Sequence, residues 1–221
     1  MTVRAVVFDL WDTIVDFVPD EGDALHRRIA HRLGVSYERF QEVWYAEDAM
    51  HRRNVGPIAP CFSAACETLG AEADVEELVD WRRDLTRKAL VPRRGLLETL
   101  AELRERRLRL GLVSNCTEEV VQVWPDTSFA GFFDGAVFSA TAGCAKPQPE
   151  IYRLACIQLG VEPAECLFVG DGANDELRGA QSVGMTPVLI HREGKEPIWE
   201  SVRDWTGLRI TTIPQVLALA R

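Results

Sequence analysis

Val6-Val7-Phe8-Asp9 closes an apolar run on a carboxylate, and the same arrangement returns twice further along the chain. Leu110-Gly111-Leu112-Val113 runs into Ser114-Asn115, and Cys166-Leu167-Phe168-Val169-Gly170 runs into Asp171. Short continuous apolar runs of this kind read as strands of a parallel sheet buried on both faces. Their carboxyl ends, where open α/β sheets bind ligands, then carry Asp9, Ser114 and Asp171. Further strands are expected at 136–139, 186–190 and 208–210, with helices near 117–124, 149–159 and 174–183.

The first strand is not followed directly by the second. From Asp20 to about Leu90 the pattern is helical: Leu25, Ile29 and Leu33 recur at helical spacing and Gly34 ends the run. A second helix is expected from about Tyr37 through Phe40, Val43 and Trp44 towards Met50. It is broken by Asn54-Val55-Gly56-Pro57-Ile58-Ala59-Pro60, and two more helices follow at about 61–69 and 75–90. After Val91-Pro92 and Gly95, a helix carrying Leu96, Leu97, Leu100 and Leu103 leads back into the sheet. The expected organisation is an α/β core of residues 1–16 and 92–221 with an inserted helical cap of residues 17–91. A cap that leaves and re-enters beside Asp9 is placed to exclude water and select substrates.

Composition bounds the partners. Lys and Arg number 25 against 34 Asp and Glu, a net charge of -9, so a nucleic acid or an anionic membrane is repelled on average. The chain has no apolar stretch of membrane-spanning length, and Met1-Thr2-Val3-Arg4 enters the first strand without a signal-peptide pattern, so a cytoplasmic location is expected. The six cysteines form no CxxC pair and have no histidine at zinc spacing; they are expected to be reduced core residues. The four histidines are expected at surface or boundary positions, and Trp124, Trp199 and Trp205 in packing roles.

A carboxylate attacks a phosphate only if the repulsion between two anions is relieved. Lys146, in Lys146-Pro147-Gln148-Pro149, is the candidate fixed cation, Ser114 offers a hydroxyl, and the amides of Asn115 and Cys116 are expected to point at phosphate oxygens. Gly170-Asp171-Gly172-Ala173-Asn174-Asp175 puts two carboxylates four residues apart on a glycine-containing turn. Gathered near Asp9 they would raise one another's pKa, a conflict that Mg²⁺ with oxygen ligands resolves. Arg52 and Arg53, beside the break at Asn54, are candidate contacts to a second anionic group of a substrate, Arg52 foremost.

Phe8-Asp9-Leu10-Trp11-Asp12-Thr13-Ile14-Val15-Asp16, Ser114-Asn115, Lys146-Pro147-Gln148-Pro149-Glu150-Ile151-Tyr152 and Val169-Gly170-Asp171-Gly172-Ala173-Asn174-Asp175 together resemble the four motifs of the haloacid dehalogenase-like hydrolases. The resemblance covers nearly the whole chain, including Pro92-x-x-Gly95 and Gly179-Ala180. It implies a Rossmann-like parallel-sheet core with an inserted α-helical cap, and Mg²⁺-dependent phosphatase chemistry on a small phosphorylated metabolite through an aspartyl-phosphate. Asp9 carries over as nucleophile and Ser114 and Lys146 as phosphate and nucleophile clamps. Asp9, Asp171 and Asp175, with the backbone carbonyl of Trp11, carry over as the metal site, and Thr13, Asn115 and Cys116 stand as substrate contacts.

Trp11 departs from the pattern, because phosphatases of the family have an aspartate there as general acid and base. The loss of such help, worth roughly 10²- to 10⁴-fold, falls hardest on alkoxide leaving groups and least on aryl and acyl phosphates and anhydrides. Asp12 is adjacent, but one step along an extended segment reverses a side chain, and a loop hydrogen bond is its ordinary role. An aromatic residue at position 11 also resembles the family's 2-haloacid dehalogenases. A dehalogenase, or a weakly active phospho-ligand binder, is therefore the alternative expectation.

Overall fold

The four residues of β1 (Ala5–Phe8) alternate between two hydrophobic layers, Val6 and Phe8 packing on one side of the sheet and Ala5 and Val7 on the other. A strand buried on both faces reads as an unbroken apolar run for this reason. In this computed structural model, which describes residues 2–17, 19–191 and 199–220, β1 lies at the centre of a six-stranded sheet. The others are β2 (Arg109–Ser114), β3 (Gly135–Phe138), β4 (Cys166–Gly170), β5 (Thr186–Ile190) and β6 (Leu208–Ile210). The order is β3-β2-β1-β4-β5-β6, and every pairing is parallel. The chain steps outward from β1 through β2 to β3, then returns to the other side of β1. The crevice where the order reverses lies between β1 and β4, the place such Rossmann-like sheets reserve for ligands.

Five helices follow β1: α1 (Pro19–Arg32), α2 (Tyr37–Trp44), α3 (Glu47–Asn54), α4 (Ile58–Leu69) and α5 (Val75–Ala89). They enclose a hydrophobic cluster of their own, built on Leu25, Ile29, Phe40, Trp44, Phe62 and Leu78. The helix expected from Tyr37 to Met50 is two helices, because the backbone turns extended at Ala46 (ψ 138°); the Trp44 carbonyl at the end of α2 accepts from the Arg53 guanidinium instead. Caps set other boundaries: Ser36 Oγ accepts from Arg39 N at 3.1 Å before α2, and Asp74 Oδ1 accepts from Glu76 N at 3.0 Å before α5.

The sheet layers are completed by α6 (Leu96–Glu105), α7 (Glu118–Val123), α8 (Ser139–Ala142), α9 (Pro149–Leu159), α10 (Glu176–Ser182) and α11 (Val216–Leu219). Leu96, Leu100 and Leu103 of α6 pack with Val6 and Phe8; Ile151 and Tyr152 of α9 and Leu177 of α10 pack with Val7. The chain leaves the sheet for the helical insertion and returns through one small junction, where Val15 bridges Pro92 and Arg93 N donates to Ile14 O at 2.9 Å. The Arg93 guanidinium donates to the carbonyls of Asp12 and Thr13 and to Asp16 Oδ1, tying the outgoing chain to the incoming one. No helix of the described residues is long and apolar enough to cross a membrane, and all six cysteines are free thiols.

Candidate active site

Asp9 follows β1, Ser114 ends β2 and Asp171 follows β4, so three adjacent strands deliver three of the predicted residues to one edge of the sheet. Lys146 reaches the same point from the loop before α9. Asn115 fixes that loop: its Oδ1 accepts from Lys146 N at 2.8 Å and its Nδ2 donates to Lys146 O at 3.0 Å. The Lys146 ammonium, almost wholly buried, then donates to Asp9 Oδ1 and, at 2.5 Å, to Glu176 Oε2.

Glu176 is the residue that sequence reasoning missed. One oxygen each of Asp9, Asp171 and Glu176 lies within 4.8 Å of the others. Asp175 stands outside this cluster, half-exposed, with Oδ1 3.7 Å from Arg178 Nε. The exchange has a local cause: Asn174 and Asp175 both take left-handed conformations, with φ of 53° and 56°, so the turn ends one residue later than expected. Glu176 becomes the first residue of α10 and points inward. A signal was present, since Glu176 lies three and four residues before Gly179 and Ala180, the small residues of the buried face, while Asp175 lies three before exposed Arg178.

Two glycines make this packing possible. A Cβ on Gly170 would stand 2.1 Å from Glu176 Oε1, and one on Gly179 would stand 2.5 Å from the Tyr152 hydroxyl and 2.9 Å from Pro147 O. Without side chains there, α10 closes onto the Lys146 loop. Gly172 N donates to Glu176 Oε1 at 3.0 Å and the Tyr152 hydroxyl donates to Glu176 O at 2.8 Å.

The electrostatics suit a cation. Two like charges about 5 Å apart repel by roughly 3 kcal/mol at an effective dielectric near 20, and Lys146 offsets only one of three carboxylates. Burial, then the neighbouring Asp9 charge, pushes Asp171 up to about 6, and the same two causes raise Glu176 well above the usual carboxylate range. Burial alone would lower the Lys146 pKa, but Asp9 and Glu176 together carry it above the ordinary lysine value. A buried, oxygen-rich cluster with excess negative charge fits a hard divalent ion.

The remaining predicted residues fall as follows. Ser114 is fully buried at the end of β2. Thr13 is also fully buried, and its Oγ1 has no hydrogen-bond partner among the described residues. The Cys116 amide is not free for a phosphate as expected: it donates to Ser139 Oγ at 3.0 Å, and burial pushes the Cys116 thiol up to about 12. Trp11 is partly buried and packs edge-on to Phe17, ring centroids 6.0 Å apart. Asp12 has the ordinary loop role, its Oδ1 accepting from Phe17 N at 3.3 Å and lying 3.4 Å from Arg93 Nη2.

A cavity of about 450 Å³ opens between the helical insertion and the sheet layer, with Trp11, Asn115 and Cys116, chain neighbours of the site residues Asp9 and Ser114, on one side and Trp44, Tyr45 and Arg53 on the other. Arg52 lies away from it, exposed and paired with Asp48 Oδ2 at 2.7 Å; its neighbour Arg53 is the one that lines the cavity. Two residues expected in ordinary roles, His26 and Trp199, also differ, and Arg82 carried no expectation. His26 is buried against Phe40, Trp44 and Tyr45 rather than at the surface. Trp199, expected to pack, is partly exposed and donates its indole N–H to Asp171 Oδ2 at 2.7 Å. Arg82 reaches from α5 to the sheet layer, donating at 2.6 Å to buried Glu119 Oε1 of α7.

A model of the haloacid dehalogenase-like hydrolase family matches residues 3–184. The glyceraldehyde 3-phosphate phosphatase of Methanopyrus kandleri is 30% identical over 199 residues, covering 86% of this chain and 84% of its own. The (S)-2-haloacid dehalogenase 4A of Burkholderia cepacia is 28% identical over 209 residues, covering 90% and 87%. Among solved structures, an HAD phosphatase from Thermococcus onnurineus superposes with a TM-score of 0.74 at 25% identity, covering 98% of this chain and 97% of its own.

Proposed function

The chain belongs to the haloacid dehalogenase-like hydrolase family, and from that premise we propose that it is a Mg²⁺-dependent phosphatase acting on a small phosphorylated metabolite. The observation that carries the reading is the convergence of Asp9, Asp171 and Glu176 around a buried lysine. Asp9, Asp171 and Glu176 would hold the ion, with the Trp11 carbonyl as a further oxygen, and Glu176 takes the place first assigned to Asp175. When bound, Mg²⁺ supplies positive charge against the phosphoryl oxygens.

Asp9 attacks phosphorus, the P–O bond to the leaving group breaks and that group departs as its oxyanion. Water then attacks the aspartyl-phosphate at phosphorus to release inorganic phosphate and restore the Asp9 carboxylate. Lys146 holds the attacking carboxylate in place and, fixed at its base by Asn115, cannot swing away. Thr13 Oγ1, buried and without a partner among the described residues, and the Ser114 hydroxyl donate to the phosphoryl group. Neither Trp11 nor Asp12 protonates the leaving oxygen, since an indole has no acid to give and the Asp12 carboxylate is taken by Phe17 N and Arg93. Aryl and acyl phosphates and anhydrides, which leave as weak bases, are therefore the favoured substrates. Free thiols and the acidic balance support a reduced, cytoplasmic setting.

Initial rates on 4-nitrophenyl phosphate test the reading. Hydrolysis is expected with Mg²⁺ and lost with EDTA, and Asp9→Asn should lower kcat by about 10³-fold or more. Turnover that survives both treatments would end it. Trp11 and the Burkholderia relative favour a second reading, a 2-haloacid dehalogenase. Halide release from (S)-2-chloropropionate in EDTA would establish that reading instead.

A further inference from the structure

The cavity beneath the helical insertion is lined by two arginines, Arg53 buried and Arg82 partly buried, that are treated differently. Arg82 is matched by Glu119 at 2.6 Å and also donates to Thr117 Oγ1 at 3.3 Å. Arg53 has no carboxylate within ion-pair distance among the described residues, although it is only 6% exposed. Its one hydrogen bond among them goes to the Trp44 carbonyl, and its guanidinium carbon lies 4.2 Å from the centre of the Trp44 ring. Asp23, the other carboxylate on the cavity wall, is exposed and makes no ion pair with it.

Burying a guanidinium without an anion is costly, and proteins keep such a group where a ligand supplies the missing charge. Burial, then the nearby Arg82 charge, lowers Arg53 only to about 10, so it stays protonated at neutral pH. Stacking on Trp44 fixes the guanidinium plane and leaves donors over for a planar, bidentate acceptor. One unmatched positive charge balances one negative charge. A carboxylate meets that condition better than a phosphate dianion, which needs two.

We infer that Arg53 selects substrates carrying a carboxylate in addition to the phosphoryl group, the carboxylate pairing with its guanidinium against the Trp44 and Tyr45 rings while the phosphoryl group meets Asp9. This rests on the phosphatase reading for the phosphoryl end alone. The substrate class is a short phosphorylated acid, small enough for a cavity of about 450 Å³.

The test is calorimetric and needs no turnover. Two non-hydrolysable probes, 4-phosphonobenzoate and phenylphosphonate, are titrated with Mg²⁺ into the wild-type protein, Arg53→Met and Arg53→Lys. The wild type should bind the carboxylated probe at least about 10-fold more tightly. Arg53→Met should erase that preference and leave phenylphosphonate unchanged; Arg53→Lys, which keeps the charge without the fork, should retain part of it. Equal affinities in the wild type, or a preference that survives unchanged in both variants, overturn the inference. If Arg53→Met does not fold, the wild-type ratio and its fall in Arg53→Lys decide. If neither phosphonate binds, the phosphatase reading is what has failed, and benzoate against benzamide then decides for Arg53. Benzoate should bind more tightly in the wild type only; equal or undetectable binding of the two overturns the carboxylate site.

Discussion

The sheet edge at Asp9 and the cavity beneath the helical insertion are both buried and both charged, yet they treat charge in opposite ways. At the sheet edge the ammonium of Lys146 is shared between two carboxylates, Asp9 and Glu176, and Glu176 also accepts from the Gly172 amide. In the cavity, Arg53 lies on an aromatic wall with no anion of the protein beside it among the described residues, and His26 is packed among three rings. The first region is a set of groups that define one another's positions, as a site for a fixed chemical step requires. The second leaves interactions open, as a site for a guest requires.

Glu176→Gln should break the first region most severely. The amide keeps the shape but loses the charge that holds Lys146, and kcat/KM is expected to fall by roughly 10²-fold or more, with half-maximal activity shifted to higher Mg²⁺. Asp175→Asn, one residue earlier, should change it by less than about threefold. A Mg²⁺ titration of initial rates on both variants separates them; equal losses would return the metal role to Asp175.

The ion pair that crosses the cavity from α5 to α7 can be tested on Arg82. Removing this partner strands Glu119, which is fully buried, and Arg82→Met should cost about 3 kcal/mol of stability. Urea unfolding measures the loss, and adding Glu119→Gln should recover much of it. A smaller effect belongs to His26. Burial, then Arg82, lowers its pKa to about 4 from 6.5, so below 6.5 the unfolded chain binds a proton that the folded chain refuses. Stability should therefore fall as the pH drops from 6.5 towards 4, by about 2 kcal/mol at pH 5, a slope that His26→Phe removes. A pH series of urea midpoints reads this directly. The mildest change is Trp11→Asp, expected to raise alkyl phosphate hydrolysis about 10-fold and aryl phosphate hydrolysis little. Equal gains on both substrates would mean that leaving-group protonation is not what Trp11 lacks.

The same contrast explains what the sequence made legible. Apolar runs ending on Asp9, Ser114 and Asp171 are local signals, and each strand formed within about a residue of its expected limits because burial on both faces leaves little latitude. Lys146 was legible as the basic residue of a proline-bounded loop. Glu176 was obscured by a backbone event, two successive left-handed residues in one turn, which side-chain spacing alone does not announce. Arg53, His26 and Trp199 were obscured for another reason. Their roles depend on which elements meet across long stretches of chain, and an arginine beside Arg52 looks the same whether it faces water or Trp44.

The junction at Arg93 carries a consequence for how such molecules are assembled. Since the outgoing chain at Val15 and the incoming chain at Pro92 already form a bridge, everything between them is a closed excursion that begins and ends at one point. Excising it would leave two ends lying side by side for a short turn to join, and a replacement module would have to supply a new partner for Glu119 in place of Arg82. The sheet and the helical insertion are thereby joined by a single point of exit and return, which a recombination event or a protein engineer could use to exchange one for another.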